Sequence, residues 1–300
     1  MKSIRFRLFE FNECSWIPSM LREYATDFLS SLWCFDGFGT TKPAITPAIE
    51  LMEKSIKKTK ATKIVDLACG SGKASYHILL HLKKKGFRNL KLVLSDLFPN
   101  IEIFRNLSAQ NKDVEYEEKP VDAMNCELIG FRTFFASFHH FNTHQATKII
   151  KDAVDKQVGI GIFEMTYKGL WNLILLIGLA PLWILLLTPI IRPVKASRIL
   201  FTYIIPVIPL MLWWDGFVSV IRTYTEKELE RIIKQADPDN TFEWHTIKKI
   251  YGLPKVFAMA GYPKKPRARY LREKYFSQAE EFDTREAQEA YPQEQQNSQA

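Results

Sequence analysis

Asp66, Ala68, Gly70 and Gly72 stand at every second position of "DLACGSG", between an apolar run and the helix-like "ASYHILLHLKKKG". Small residues at that spacing let backbone approach a ligand closely. A dinucleotide-binding turn needs G-x-G-x-x-G, but the position three after Gly72 is Ser75, so the third glycine is missing. Asp66 would repel a pyrophosphate, yet it can accept a hydrogen bond from a ligand ammonium group. A second constellation is "SFHHFNTHQ", with His139, His140 and His144. Histidine titrates near neutral pH and suits proton transfer. His140 is the acid/base or substrate-contact candidate, weighed evenly against a structural hydrogen bond; Glu164, closing "GIFE", is the second. Spacing of one and four residues with no carboxylate nearby is poor metal-ligand evidence, so no metal is expected. Asp215, Ser219 and Arg222 would share one helical face, either to bind a polar substrate head or, slightly favoured, to form an internal ion pair.

These residues need elements to hold them. From "KIVDLA" to "GIGIFEMT", apolar runs alternate with helical periods, which predicts an α/β doubly wound sheet with its ligand crevice at the carboxyl ends of the strands. Ahead of it, Trp16–Trp33 and Pro47–Lys58 read as helices, with Pro18 in the first turn of the former. Thr225 and Glu228 form a T-x-x-E capping box that starts a late helix.

"DLACGSG" resembles the first motif of class I S-adenosylmethionine-dependent methyltransferases, D/E-x-G-x-G-x-G, with Ala68 in place of the first glycine. The resemblance covers about residues 41–262. It implies a mostly parallel seven-stranded sheet with an antiparallel last strand, with S-adenosylmethionine as cofactor. By the same resemblance, Asp96 at the end of "LKLVLSD" accepts from the ribose hydroxyls with Leu97 beside it, and Asp122 and Ala123 of "KPVDAMN" meet the adenine. Ser137 in "RTFFASF" joins them in the cofactor set. A dinucleotide enzyme would also place an acid at Asp96, so that residue alone does not discriminate.

The chain has 300 residues and a net charge of +8, but 7 acids against 2 bases from Glu273 onward leave the remainder at about +13, which favours anionic partners. Cys14, Cys34, Cys69 and Cys126 show no C-x-x-C spacing, arguing against a zinc site or disulfide framework and for a reducing compartment. "MKSIRFRLFEFNE" shows no secretory pattern. After the fifth strand come 23 uncharged residues, Gly169 to Ile191, and 16 more, Ile199 to Trp214, separated only by "RPVKASR". Only the first reaches the length of a membrane span, and prolines interrupt both. The expectation is an apolar α-helical hairpin insertion, kinked within the cytosolic leaflet, with Arg192, Lys195 and Arg198 among the headgroups. The expected domains are an N-terminal helical region at 1–60, a methyltransferase domain at 61–168 and 222–263, the insertion at 169–221, and a basic then acidic, disordered tail at 264–300. Membrane contact would run through 169–214 and basic 264–272, with no nucleic acid expected. The functional expectation is a membrane-associated methyltransferase, its catalytic domain facing the cytoplasm, acting on a lipophilic small molecule or lipid. The alternatives are an inactive cofactor-binding scaffold, or a soluble RNA or protein methyltransferase with an apolar lid.

Overall fold

A computed structural model describes residues 8–35, 43–250 and 255–265. Seven strands form one sheet: β1 (Lys63–Asp66), β2 (Lys91–Leu94), β3 (Val114–Tyr116), β4 (Phe131–Phe135), β5 (Ile160–Glu164), β6 (Phe242–Ile250) and β7 (Lys255–Pro263). Their order is β3-β2-β1-β4-β5-β7-β6. The first five are parallel, and β7 is antiparallel to both β5 and β6. The expected fold class is thus found.

The side-chain alternation of the strands explains why both faces are covered. In β7, Val256, Ala258 and Ala260 join one core, while Phe257 and Met259 join the other. The first core receives α2 (Thr46–Thr59), α3 (Lys73–Lys84) and α4 (Ile101–Gln110); the second receives α5 (Thr143–Asp155) and α9 (Glu226–Ala236). The Thr225–Glu228 capping box starts α9 as expected. The predicted helix at 47–58 is α2, closed by Lys60 in the left-handed region. The helix expected from Trp16 begins later, as α1 (Ser19–Cys34), with Pro18 at its N-cap rather than inside the first turn.

The insertion folds as α6 (Leu170–Leu187), α7 (Ala196–Ile199) running into a π-helical turn at Leu200–Ile204, and α8 (Val207–Arg222), with α6 against α8. The expected boundary at 221/222 falls at the end of α8. Ile184, Leu187, Ile191, Ile208, Met211 and Leu212 pack onto Ile17, Leu21, Tyr24, Ala25 and Phe28, making a third core between the insertion and α1. Among the described residues no single helix is long and apolar enough to cross a membrane; the segments 196–204 and 207–222, bent by 75°, reach that length and composition only together.

The connector corrects the expectation that three cations would sit among headgroups. Arg198 is 1% exposed, bonded to Asp27 at 3.3 Å and to the Ile191 and Pro193 carbonyls, and Lys195 pairs with Glu23. Both acids belong to α1, whose charges the local sequence pattern could not connect with residues 171 positions away. Arg192 alone of the three is exposed without such a bond to α1. The tail expected to be disordered, and most of the basic 264–272 run, lie outside the described residues.

Candidate functional site

The turn after β1 is built from left-handed backbone. Ala68, Gly70 and Gly72 have φ of 52°, 57° and 66°, a region that costs an L-residue roughly 1–2 kcal/mol. At Gly72 a Cβ would also lie 2.5 Å from Leu94 Cδ2, so a side chain there would have to displace the buried Leu94 side chain of β2; at Gly70 an added Cβ would meet nothing, which leaves that peptide accessible. Asp96 reaches back across the turn: its Oδ2 accepts from Gly70 N and its Oδ1 from Phe98 N, both at 3.0 Å. Leu97 and Phe98 stand exposed at this rim. The Asp96 carbonyl takes Val121 N, which sets Asp122 beside it; Asp122 caps the short turn at Ala123–Asn125 through Met124 N at 2.8 Å, and Ala123 is buried.

Asp66 lies inside the sheet end, 1% exposed, accepting from Thr133 Oγ1 at 2.9 Å. Burial pushes its carboxyl up to about 7, against hydrogen bonds from Ser75 and Thr133 and with repulsion from Asp96 adding to it. A cationic ligand at this rim would favour its charged form. Ser137, past the end of β4, is buried with no partner for its Oγ. The nine expected cofactor positions, Asp66, Ala68, Gly70, Gly72, Asp96, Leu97, Asp122, Ala123 and Ser137, therefore share the carboxyl edge of β1 to β4. Open backbone at Gly70, an orphaned hydroxyl and a buried acid without a cation fit an adenosyl ligand that carries an ammonium group. Helix α1 closes over the same turn: Ser30 Oγ meets Ser71 Oγ at 2.9 Å, and Lys73 is paired with Asp27. Beside it a cleft of about 360 Å³ runs between Phe28, Lys73, His77, Leu187 and Ile191.

Past the end of β4, two residues beyond Ser137, the histidines form a second cluster. His139 is buried; its backbone N donates to Glu164 Oε1 at 3.1 Å and its Nδ1 lies 2.9 Å from Glu164 Oε2. His140 is 29% exposed at its side chain, and its Nδ1 lies 2.6 Å from Glu13 Oε1. Glu10, 3% exposed, sets one oxygen 3.7 Å from His139 Nε2 and the other 3.7 Å from His140 Nε2. Burial pushes Glu10 up to about 7, with His140 and Arg222 opposing it. Burial acts in the same direction on Glu13, but hydrogen bonds from His140 and Arg222 prevail and hold it well below the usual carboxylate range. His144 does not join: it lies exposed on α5.

The shared face of α8 serves the N-terminal segment. Asp215 accepts from Phe11 N at 2.6 Å and Asn12 N at 3.1 Å; Ser219 Oγ reaches Glu10 at 3.3 Å; Arg222 binds Glu13 at 2.7 Å, Glu10 at 3.3 Å and the Leu8 carbonyl. This is the internal-pair arrangement rather than an open head-group site. Glu10 and Glu13 are the site residues that sequence reasoning missed. They supply the carboxylates absent around the histidines, and only their i, i+3 spacing in "FEFNE" hinted at a shared target.

The strand order, with β7 antiparallel between β5 and β6 and a small-residue turn after β1, defines the class I methyltransferase fold. No family model matches the chain, and no curated protein does. Solved structures similar to it include an O-methyltransferase family protein from Burkholderia thailandensis (14% identity, 73% of this chain and 55% of that one, TM-score 0.42). Others are an O-methyltransferase family 2 protein from Planctomyces limnophilus in complex with apigenin (12%, 67% and 49%, 0.42) and the plantazolicin methyltransferase BamL in complex with a triazolic desmethylPZN analogue and SAH (9%, 82% and 99%, 0.45). The chain spans about half the length of the first two. The fold assignment rests on the sheet itself.

Proposed function

We propose that the protein is an S-adenosylmethionine-dependent methyltransferase acting at a membrane surface on a lipophilic small molecule or lipid. The carrying observation is the juxtaposition of the β1 turn, with Asp96 across it, and the His139/His140 cluster on the same edge of the sheet. The turn and Asp96, Asp122 and Ser137 would hold the cofactor, which when bound supplies an electrophilic methyl group. Positioning of acceptor against that methyl then carries much of the acceleration. Glu13 fixes the His140 proton on Nδ1 and leaves the Nε2 lone pair to take a proton from the acceptor, while Glu164 orients His139 in the same manner.

Support for the membrane reading comes from the outer face of the insertion. Leu170, Ile174, Leu182, Leu186, Ile204 and Leu210 are among its exposed apolar residues, an area that marks an interaction surface. All four cysteines are free, which fits the cytoplasmic side. Because the inner face of the insertion completes a core with α1, removing 169–214 would uncover that core, so substitutions on the outer face make the cleaner experiment. Leu182→Ser, Leu186→Ser and Leu210→Ser together should release the protein from liposomes without changing its melting temperature. Incubation of the parent with labelled cofactor and total lipid extract should yield a labelled lipid-soluble product. Cofactor binding without any labelled product would identify a scaffold, and full turnover on RNA or protein in the triple variant would identify a partner-binding lid.

A further inference from the structure

We infer that Glu10, His139 and His140 form a binding site for a divalent transition-metal ion of the zinc type. The ligand chemistry is that of two imidazoles and one carboxylate. Each histidine has its Nδ1 on a separate carboxylate, Glu164 Oε2 at 2.9 Å and Glu13 Oε1 at 2.6 Å. That pairing favours the proton on Nδ1, at His140 against the Arg222 Nη1 donor 3.4 Å from the same atom, and turns a lone pair on Nε2 towards Glu10, the arrangement by which outer carboxylates orient metal-binding histidines. The two Nε2 atoms then face Glu10 oxygens at 3.7 Å, so acceptors oppose acceptors unless a cation or proton lies between them. With bonds of about 2.1 Å, two ligand atoms lie about 3.4 Å apart at a tetrahedral angle and about 3.0 Å apart at a right angle. The observed spacing is nearer the tetrahedral value.

Charge leads to the same conclusion. Among the described residues, Glu10, Glu13, Glu164 and Asp215 bring four carboxylates to a cluster in which Arg222 is the cation. With neutral histidines and ionised acids the balance is three negative charges, and a divalent ion would reduce it to one. Three protein ligands leave a fourth position for an oxygen ligand, and the roughly 30% exposure of the His140 side chain places that position at the mouth of the crevice. The inference deepens the proposed function in one respect: with the ion present, an acceptor hydroxyl would meet the metal rather than His140 Nε2. Metal binding itself does not rest on the cofactor reading.

The test uses chelator-treated full-length protein without cofactor. Equilibrium dialysis against Zn²⁺ should leave about one equivalent bound, and Co²⁺ should give the visible absorption of a tetrahedral site. Glu10→Gln and His140→Asn should abolish those bands, and Glu13→Gln should weaken affinity by about 10–100-fold through loss of histidine orientation. Melting curves identify any variant that fails to fold, in which case the Co²⁺ spectrum of the parent decides. Less than about a tenth of an equivalent of Zn²⁺, an octahedral Co²⁺ spectrum, or equal bands in parent and folded His140→Asn would overturn the site. Since no cofactor is added, each of these outcomes is independent of whether the protein binds S-adenosylmethionine.

Discussion

Removal of the Asp27 carboxylate should unfold the contact between the insertion and α1. Asp27 is buried and holds two cations, Arg198 of the insertion at 3.3 Å and Lys73 at the start of α3. In Asp27→Ala the Arg198 guanidinium, 1% exposed, keeps its two carbonyl partners but loses its counter-charge. Breaking a buried pair from one side costs about 3–5 kcal/mol, because the remaining charge is left desolvated. Lys73, a third exposed at its side chain, can turn to water and adds little. At about 2–4 °C per kcal/mol for a domain of this size class, the melting temperature should fall by roughly 6–20 °C. Thermal unfolding of Asp27→Ala, Arg198→Met and the double variant gives the assay. The double variant should recover much of the loss, since an apolar replacement of the whole pair removes the stranded charge. A single-variant change below about 0.5 kcal/mol, or strictly additive effects, would show that the pair is not what fixes the insertion.

Asp96→Ala deletes the acceptor that ties Gly70 to the β2 rim and should weaken S-adenosylmethionine binding by at least about tenfold with the fold retained, as measured by calorimetry; unchanged affinity would remove Asp96 from the site. His140→Ala should lower turnover at saturating cofactor without altering cofactor affinity; equal turnover in parent and variant would return His140 to a structural role. Gly72→Ala places a Cβ 2.5 Å from Leu94 in left-handed backbone and should cost about 2–4 kcal/mol, which denaturant titration would register. For Asp66 the folded value of about 7 exceeds the ordinary value of 3.8, so the folded chain retains a proton that the unfolded chain releases. Stability of the cofactor-free protein should therefore fall as pH rises from about 4 to about 7, by up to about 1.4 kcal/mol per unit, and Asp66→Asn should flatten that part of the curve.

The parts legible in the sequence are those written locally. Strand–helix alternation announces the sheet, "DLACGSG" announces a small-residue loop that a ligand can approach closely, and T-x-x-E starts α9 where it says. Strand-end acids are likewise readable, because a carboxylate that closes an apolar run must lie at a rim. The helix at α1 was misjudged by three residues at its start because Pro18 fits an N-cap as well as a first turn. Pairings across the chain were not readable. Nothing in "SFHHFNTH" indicates that Glu10 and Glu13 will reach it, and nothing in "RPVKASR" indicates that Arg198 will bury itself against Asp27. An apolar run with flanking cations reads as lipid-facing by composition, whereas its inner face and two of its three cations, Lys195 and Arg198, are answered by helix α1 near the start of the chain.

The third core also sets a timetable for synthesis. Its two halves are α1 and the insertion, and Asp27 precedes Arg198 by 171 residues. At about 5–20 residues per second, α1 leaves the ribosome roughly 9–34 s before the helices that cover Leu21 and Phe28. During that interval Trp33 can pack into the first core, but Leu21, Tyr24 and Phe28 lack the insertion that covers them, and the entire parallel part of the sheet is made in the meantime. Helix α1 is thus the first described α-helix to emerge and among the last to complete its packing, which makes it the natural point of engagement for a chaperone acting on the nascent chain.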